Sequence, residues 1–260
     1  MRTHATQSDR NVLITGAARR IGSEIAIGLA KEGFNVAIHC NQSTSEANEL
    51  KKTIEETGVS ATVISANLSD ADSAKKIFNA ANRQIGPISY LINNASLFSY
   101  DSPASASWQD LDAHMRVNLF APILLTQAFA DQLSDQSEGC VINLLDQKTH
   151  NLNPDFFSYT LSKVALESAT KMLASTLGPK IRVCGLAPGI TLPSGEQTDA
   201  GFEKAHKLSP LGRSSSTEDL VEAAKYLLAA RSITGTTLIV DGGQHLWPTH
   251  RDVQFEVNTN

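Results

Sequence analysis

The sequence predicts an α/β fold: one doubly wound parallel sheet of about seven strands, with helices on both faces. Three observations predict it. Short apolar runs alternate with segments of helical periodicity along all 260 residues, the pattern of strands joined by crossover helices. The strand-like runs, such as Val12-Leu13-Ile14 and Val141-Ile142, are apolar throughout rather than alternating, as burial on both faces requires. Neither an internal repeat nor a low-complexity linker divides the chain, and 41% hydrophobic residues over this length suit a single domain, residues 1–260, with a substantial core.

Asn11 to Ile14 reads as the first strand. Ile21, Ile25, Gly28 and Leu29 give the first helix an apolar stripe that stops at Gly33. The second strand is 35–40, a helix covers 45–57, and the third strand is 61–65. A helix from 70 to 84 runs into the Gly86-Pro87 break, and 88–92 is the fourth strand. Ser107, followed three residues later by Asp110, is an N-cap opening one long helix to Phe129. The fifth strand is 140–145, and the segment SKVALESATKMLAST is again helical. The sixth strand is 181–186. Thr217 caps the last long helix, with Glu218 and Asp219 in its first turn, and 236–240 is the seventh strand. Residues 1–10 form an N-terminal extension. Residues 191–208, rich in Ser, Gly, Thr and Pro at their start, read as a mobile substrate lid. The tail 247–260 is polar apart from Trp247 and Phe255. In such a sheet, ligands bind beyond the carboxyl ends of the strands where strand order reverses.

Composition narrows the partners. Lys and Arg number 22 against 27 Asp and Glu, a net charge of −5, so no basic surface recommends nucleic acid or an anionic membrane. A small molecule is expected instead. Cys40, Cys140 and Cys184 are widely separated, and each lies in or beside an apolar strand-like run, which suits buried free thiols in a reducing cytosol. The first ten residues lack the apolar core of a signal peptide, and no stretch approaches the roughly 20 apolar residues of a membrane span. A cytoplasmic location is expected. The seven histidines contain no H-x-x-x-H pair, so packing and surface roles are expected for them and no metal site.

Two motifs carry chemistry. After the first strand, Thr15-Gly16-Ala17-Ala18-Arg19-Arg20-Ile21-Gly22 reads as a tight turn opening a helix. Gly16 and Gly22 let the backbone approach a phosphate, and the helix N-terminus presents free N–H groups and a partial positive charge to it. Farther along, Tyr159 and Lys163 stand four residues apart and share one helix face. An ammonium beside a phenol favours phenolate, so it is expected to lower a pKa ordinarily about 10 and make Tyr159 a proton donor. With Asn93-Asn94-Ala95 after the fourth strand, Asn118 in the long helix and Pro188-Gly189 after the sixth strand, these motifs follow the order and spacing of the short-chain dehydrogenases/reductases. From about Asn11 to His245 the chain resembles that family and its Rossmann-type domain.

The resemblance implies a nicotinamide cofactor. Gly16, Arg19, Arg20, Ile21 and Gly22 would meet its phosphates, Asn67 and Leu68 its adenine, Asn94 and Ala95 its nicotinamide ribose, and Pro188, Gly189 and Ile190 its carboxamide. Tyr159 and Lys163 would also touch it. The end of the second strand, Ile38-His39-Cys40-Asn41-Gln42-Ser43, holds no carboxylate before Glu46. A ribose 2′-phosphate would therefore meet no like charge, and Arg19, Arg20, Asn41 and Ser43 could hold it, so NADPH (NADP+) is the expected cofactor. His39 is either a partly buried strand residue or a phosphate contact. Asn67 stands where the family more often has aspartate, and its amide can still bond the adenine amino group. In the family the residue matching Asn118 kinks its helix and holds a water that wires the lysine to solvent. A homotetramer is likewise implied, since in related tetramers the last strand pairs across a two-fold axis and tails can reach a neighbour's active site.

The most informative departure lies thirteen residues before Tyr159, where the family usually has a serine that donates to a substrate carbonyl; here it is Asp146. An ionised carboxylate would repel the oxyanion formed when a ketone accepts hydride. A C=N acceptor differs, because its nitrogen must end protonated, and a Tyr–Asp pair can relay that proton. This is similar to the pteridine reductases within the family, as are TGAARRIG, with Arg20 where most relatives have glycine, IHCNQSTSEANEL and NNASLF. The ending ITGTTLIVDGGQHL resembles their bacterial branch, the dihydromonapterin and dihydrofolate reductases. By this resemblance Asp146, Tyr159 and Lys163 form the catalytic trio with Asn118 behind them. Ser96 and Phe98 would contact the pterin, and Arg20 would reach over pterin and pyrophosphate. From pattern alone, Phe98 is open between core packing and stacking on a flat heteroaromatic substrate. The implied activity is reduction of a dihydropterin, with hydride to C6 and a proton to N5. Two other functions stay open: a carbonyl or 3-oxoacyl-type reductase that tolerates Asp146 as a protonated acid, and a non-catalytic NADP-binding regulatory protein, which the intact Tyr159, Lys163 and Asn118 discourage.

Overall fold

The computed structural model describes residues 10–193 and 198–256. Residues 1–9 of the N-terminal extension, 194–197 of the expected lid and 257–260 of the tail lie outside the described residues.

Seven strands, β1 (Asn11–Ile14), β2 (Asn35–Cys40), β3 (Ala61–Ser65), β4 (Tyr90–Asn93), β5 (Gly139–Leu144), β6 (Ile181–Pro188) and β7 (Thr237–Val240), form one sheet in the order β3-β2-β1-β4-β5-β6-β7. Every neighbouring pair is parallel. Order reverses between β1 and β4, the switch point beyond whose carboxyl ends such sheets open a crevice. The two-residue period of the strands splits the core in two. Val12, Ile14, Ile38, Ile142 and Leu186 meet helices α1 (Arg20–Lys31), α2 (Thr44–Glu55) and α8 (Thr217–Ala229) on one face. Leu13, Leu91, Val141 and Val183 meet α3 (Ser73–Ile85) and α5 (Ala121–Gln132) on the other, with Ala174 of α6 (Phe157–Leu177).

Several boundaries differ from the sequence reading, each for a local reason. The fourth strand starts at Tyr90 rather than at 88, because Ile88 gives its N–H to Asn82 Oδ1 at 3.1 Å. The long helix expected from Ser107 to Phe129 is interrupted. Ser107 and Asp110 do form a capping box, but α4 (Trp108–Met115) passes into a π-helical turn, Arg116–Phe120, before α5 begins. Pro122 has no N–H to offer the Asn118 carbonyl four residues back, and the widened turn absorbs the loss. Helix α8 is capped by Ser216, not Thr217, with Asp219 N donating to Ser216 Oγ at 3.2 Å. The expected lid is not loop throughout: α7 (Asp199–Lys207) fills its second half. The tail carries a short helix, α9 (Val253–Glu256).

Candidate active site

A cleft of about 780 Å³ lies at the carboxyl ends of β1 and β4. All the residues expected to bind cofactor or substrate line it, and of the expected site residues only Asn118 stands off its wall.

The nucleotide end is built by backbone. Gly16 sits at φ +60°, and a Cβ there would come within 2.8 Å of the Ala95 Cα. A Cβ on Gly22 would lie 2.5 Å from Asn94 Nδ2 and 2.7 Å from the Gly16 carbonyl. The turn is clamped to the end of β4: Thr15 Oγ1 accepts from the Asn94 and Ala95 N–H groups at 3.0 Å each, and Asn94 Nδ2 donates to Thr15 O and Gly16 O at 2.8 and 3.0 Å. Helix α1 opens onto the cleft with no side-chain cap, so its first-turn N–H groups are available to an anion. Substituting alanine at Gly22 forces an overpacking cost of about 1–3 kcal/mol onto this clamp, and NADPH affinity in a fluorescence titration is expected to fall about tenfold or more.

Arg20 holds a left-handed backbone, φ +59°, which costs an L-residue about 1–2 kcal/mol. Its guanidinium crosses the cleft and donates to the Pro193 carbonyl at 3.0 Å. Arg19 pairs with Glu46 at 3.6 Å, both side chains well exposed, so the pair is weak and free to reorganise around a phosphate. Asn41 and Ser43 line the same end, as do Asn67 and Leu68. His39 is no phosphate contact. It is 1% exposed, its Nδ1 accepts from Gly16 N at 3.2 Å and its Nε2 meets Ala66 O at 3.0 Å. Burial drives its pKa down to about 4, so it is a neutral prop beneath the glycine turn.

At the other end Tyr159 Oη donates to Asp146 Oδ2 at 2.7 Å, and the Lys148 N–H donates to Asp146 Oδ1 at 2.8 Å. Lys163 Nζ donates to Leu144 O at 2.7 Å and lies 5.7 Å from the centre of the Tyr159 ring. The expectation that Lys163 lowers the Tyr159 pKa fails. Burial first, and the Asp146 charge second, push the phenol well above its ordinary value. Burial also raises Asp146, against the Lys148 N–H, the Tyr159 hydroxyl and two lysine charges. It lowers Lys163 to about 8, against the pull of Asp146. The phenol and carboxyl thus form a proton-holding pair. Tyr159 is buried while Asp146 keeps some surface open to the cleft.

Asn118, fully buried in the π-turn, spends its carboxamide on protein. Oδ1 accepts from Leu97 N at 2.8 Å and Ser96 Oγ at 3.3 Å, and Nδ2 donates to Leu97 O at 2.9 Å and Ser162 Oγ at 3.0 Å. It positions the Ser96–Phe98 segment against α6 rather than touching the cleft. Phe98 packs on its neighbours and also lines the cleft. It stacks on Phe156 at 4.3 Å and 17° and meets Tyr159 edge-on at 4.7 Å, yet it is 42% exposed on the cleft wall. Pro188, Gly189 and Ile190 line the cleft beyond β6.

The sequence reading missed Lys148 and the stretch from Asp252 to Gln254, which also line the cleft. The adjacent charges Arg251-Asp252 ahead of Phe255 were the available signal. Among the described residues no group of three or more His, Cys, Asp or Glu could hold a metal, and no helix is long and apolar enough to cross a membrane.

A family model described as short chain dehydrogenase matches residues 10–201. Among solved structures, FolM alternative dihydrofolate reductase 1 from Brucella canis, complexed with NADP, is 41% identical at a TM-score of 0.88, covering 93% of this chain and 97% of that one. The Brucella suis FolM, also in complex with NADP, is 41% identical at a TM-score of 0.86, covering 93% and 98%. Among sequence relatives, the 3-oxoacyl-acyl-carrier-protein reductase FabG of Staphylococcus aureus is 31% identical over 244 residues, 91% of this chain and 98% of the relative.

Proposed function

The chain belongs to the short-chain dehydrogenase family, and on that premise we propose that it is an NADPH-dependent reductase of a dihydropterin, of the dihydromonapterin, dihydrobiopterin or dihydrofolate type. The observation that carries this reading is the 2.7 Å contact between the Tyr159 hydroxyl and the Asp146 carboxyl. The cleft fits NADPH: a glycine turn with no room for a Cβ, an uncapped helix N-terminus, and no carboxylate among the cleft residues Asn41, Gln42 and Ser43 at the end of β2. When bound, the reduced nicotinamide supplies the hydride that the reaction adds at pterin C6.

The protein's part is the proton. Adding hydride to C6 of the C6=N5 bond leaves N5 needing one proton, and the Asp146–Tyr159 pair holds one in the hydrogen bond that the phenol donates to the carboxyl, with burial raising the hold of both groups on a proton. Asp146, partly open to the cleft, passes it on and recovers it from solvent, while Tyr159 keeps the carboxyl aimed. Lys163 offsets negative charge left on the pair. Phe98 offers the exposed part of its ring to the flat pterin.

A second reading, reduction of a 3-oxoacyl thioester, draws support from the FabG relatives, since a protonated Asp146 could donate to a ketone oxygen. Following NADPH oxidation with dihydrobiopterin, dihydromonapterin and dihydrofolate beside acetoacetyl thioesters separates the two. Turnover of thioesters without turnover of any dihydropterin rejects the first. The FolM structures, each complexed with NADP, support the first. We also place the enzyme in the cytoplasm as a homotetramer, which sedimentation of the purified chain tests.

A further inference from the structure

The tail folds back over its own subunit's cleft. Arg251 grips Asp155 with both prongs, Nε to Oδ2 at 2.8 Å and Nη2 to Oδ1 at 2.9 Å, and the Asp252 N–H donates to the same carboxylate at 2.7 Å. Asp155, 2% exposed, lies just ahead of α6, the helix that carries Tyr159. A second tie runs from the buried Lys148 Nζ to Asp252 Oδ2 at 2.9 Å. Rings continue the attachment. Phe255 faces Phe156 at 6.2 Å and 23°, and Phe156 stacks on Phe98, which meets Tyr159. Phe156 does this from a left-handed backbone, φ +53°, a strained conformation of the kind that clusters at ligand clamps. These ties reach residues flanking Asp146 and Tyr159, and between them Asp252, Val253 and Gln254 line the cleft.

We propose that residues 251–256 are the wall of the substrate end of the cleft, and that Val253 and Gln254 select among dihydropterins by the substituent at C6. The identity of the substrate rests on the reading above. A C6 substituent leaves the ring one bond from the reacting C6=N5 centre, so it projects from the Asp146–Tyr159 end, where this segment stands. A short, neutral hydroxyalkyl chain fits inside the wall. A long anionic one must lift it.

Arg251→Ala unfastens the segment at a side chain that is half exposed, and it leaves the buried Asp155 carboxylate without its ion-pair partner. If the wall is then closed about a tenth of the time, the KM for 7,8-dihydrobiopterin rises about tenfold. The kcat and the NADPH dissociation constant stay level, because the clamp at the glycine turn is untouched. The preference for dihydrobiopterin over dihydrofolate shrinks, and Arg251→Lys, which keeps a charge on Asp155, recovers part of both. An unchanged KM and an unchanged preference overturn the proposal. Should Arg251→Ala fail to fold, Val253→Ala in the full-length enzyme carries the same preference measurement. If the wild type reduces no dihydropterin, the reading above fails. The comparison of Arg251→Ala with wild type on a short and a long 3-oxoacyl thioester then decides for or against the wall.

Discussion

Asp146→Ala is expected to lower dihydropterin turnover by about 10²–10⁴-fold, the range over which a positioned acid or base contributes, with NADPH affinity nearly unchanged. The carboxyl is aimed before any substrate arrives, one oxygen fixed by the Lys148 N–H at 2.8 Å and the other by the Tyr159 hydroxyl at 2.7 Å. Alanine removes the proton reservoir and leaves the phenol unpartnered. The nucleotide end is assembled separately from Thr15, Gly16, Asn94 and Ala95, so it does not register the change. Single-turnover kinetics with pre-bound NADPH measure the loss at the chemical step, and retention of most activity would contradict the assigned role.

Asp146→Asn sharpens the point. It preserves the shape and the hydrogen bond from Tyr159 but cannot ferry a proton, so its turnover falls nearly as far. Its stability moves the other way. Burial raises the Asp146 pKa in the folded state, so the folded protein binds more protons than the unfolded chain. Ionising the carboxyl therefore costs stability, a cost absent well below the ordinary carboxylate range of about pH 4 and growing as pH rises above it. The Asn variant should melt no lower than wild type at neutral pH, with an advantage that disappears in acid.

How much of this was legible in the chain depends on how local each cause is. The strands announced themselves as apolar runs, and β1, β2 and β3 begin and end where the pattern does. The four-residue spacing of Tyr159 and Lys163 placed them on one helix face, and both are indeed buried on α6. The sign of the Tyr159 shift was not legible. It is set by burial and by a carboxylate delivered from the end of β5, and a spacing rule that sees only the lysine predicts the opposite. His39 was ambiguous for a similar reason, since its two partners, Gly16 and Ala66, are brought together by the sheet. The π-turn could have been anticipated from Pro122, a residue without an N–H inside a helical run. For the tail, the adjacent charges Arg251-Asp252 ahead of Phe255 were a signal of ties, but their partner was not legible, because Asp155 lies 96 residues from Arg251 and neither sits in a motif.

Lys163→Met carries the second large effect: kcat falls about 10²-fold or more, as for loss of one preorganised electrostatic partner, and the alkaline limb of the pH profile vanishes with it. Desolvation lowers the Lys163 pKa to about 8, with the Asp146 charge pulling it back up. When the pair gives its proton to substrate, negative charge remains on Asp146 and Tyr159, and the ammonium 5.7 Å from the ring offsets it. As pH rises through about 8 the ammonium is lost, the offset goes, and kcat/KM of the wild type declines. The methionine variant starts low and stays flat across that range, so a surviving limb would assign the titration to another group. Stability supplies an independent check on the same charge. A lysine whose folded pKa is depressed destabilises the fold wherever it is protonated in both states, that is, below about 8, and the penalty fades as pH climbs from there toward the ordinary lysine value. Methionine, of similar length and without that charge, should therefore raise the melting temperature at neutral pH while abolishing most of the activity, which is the opposite of what a purely structural lysine would do.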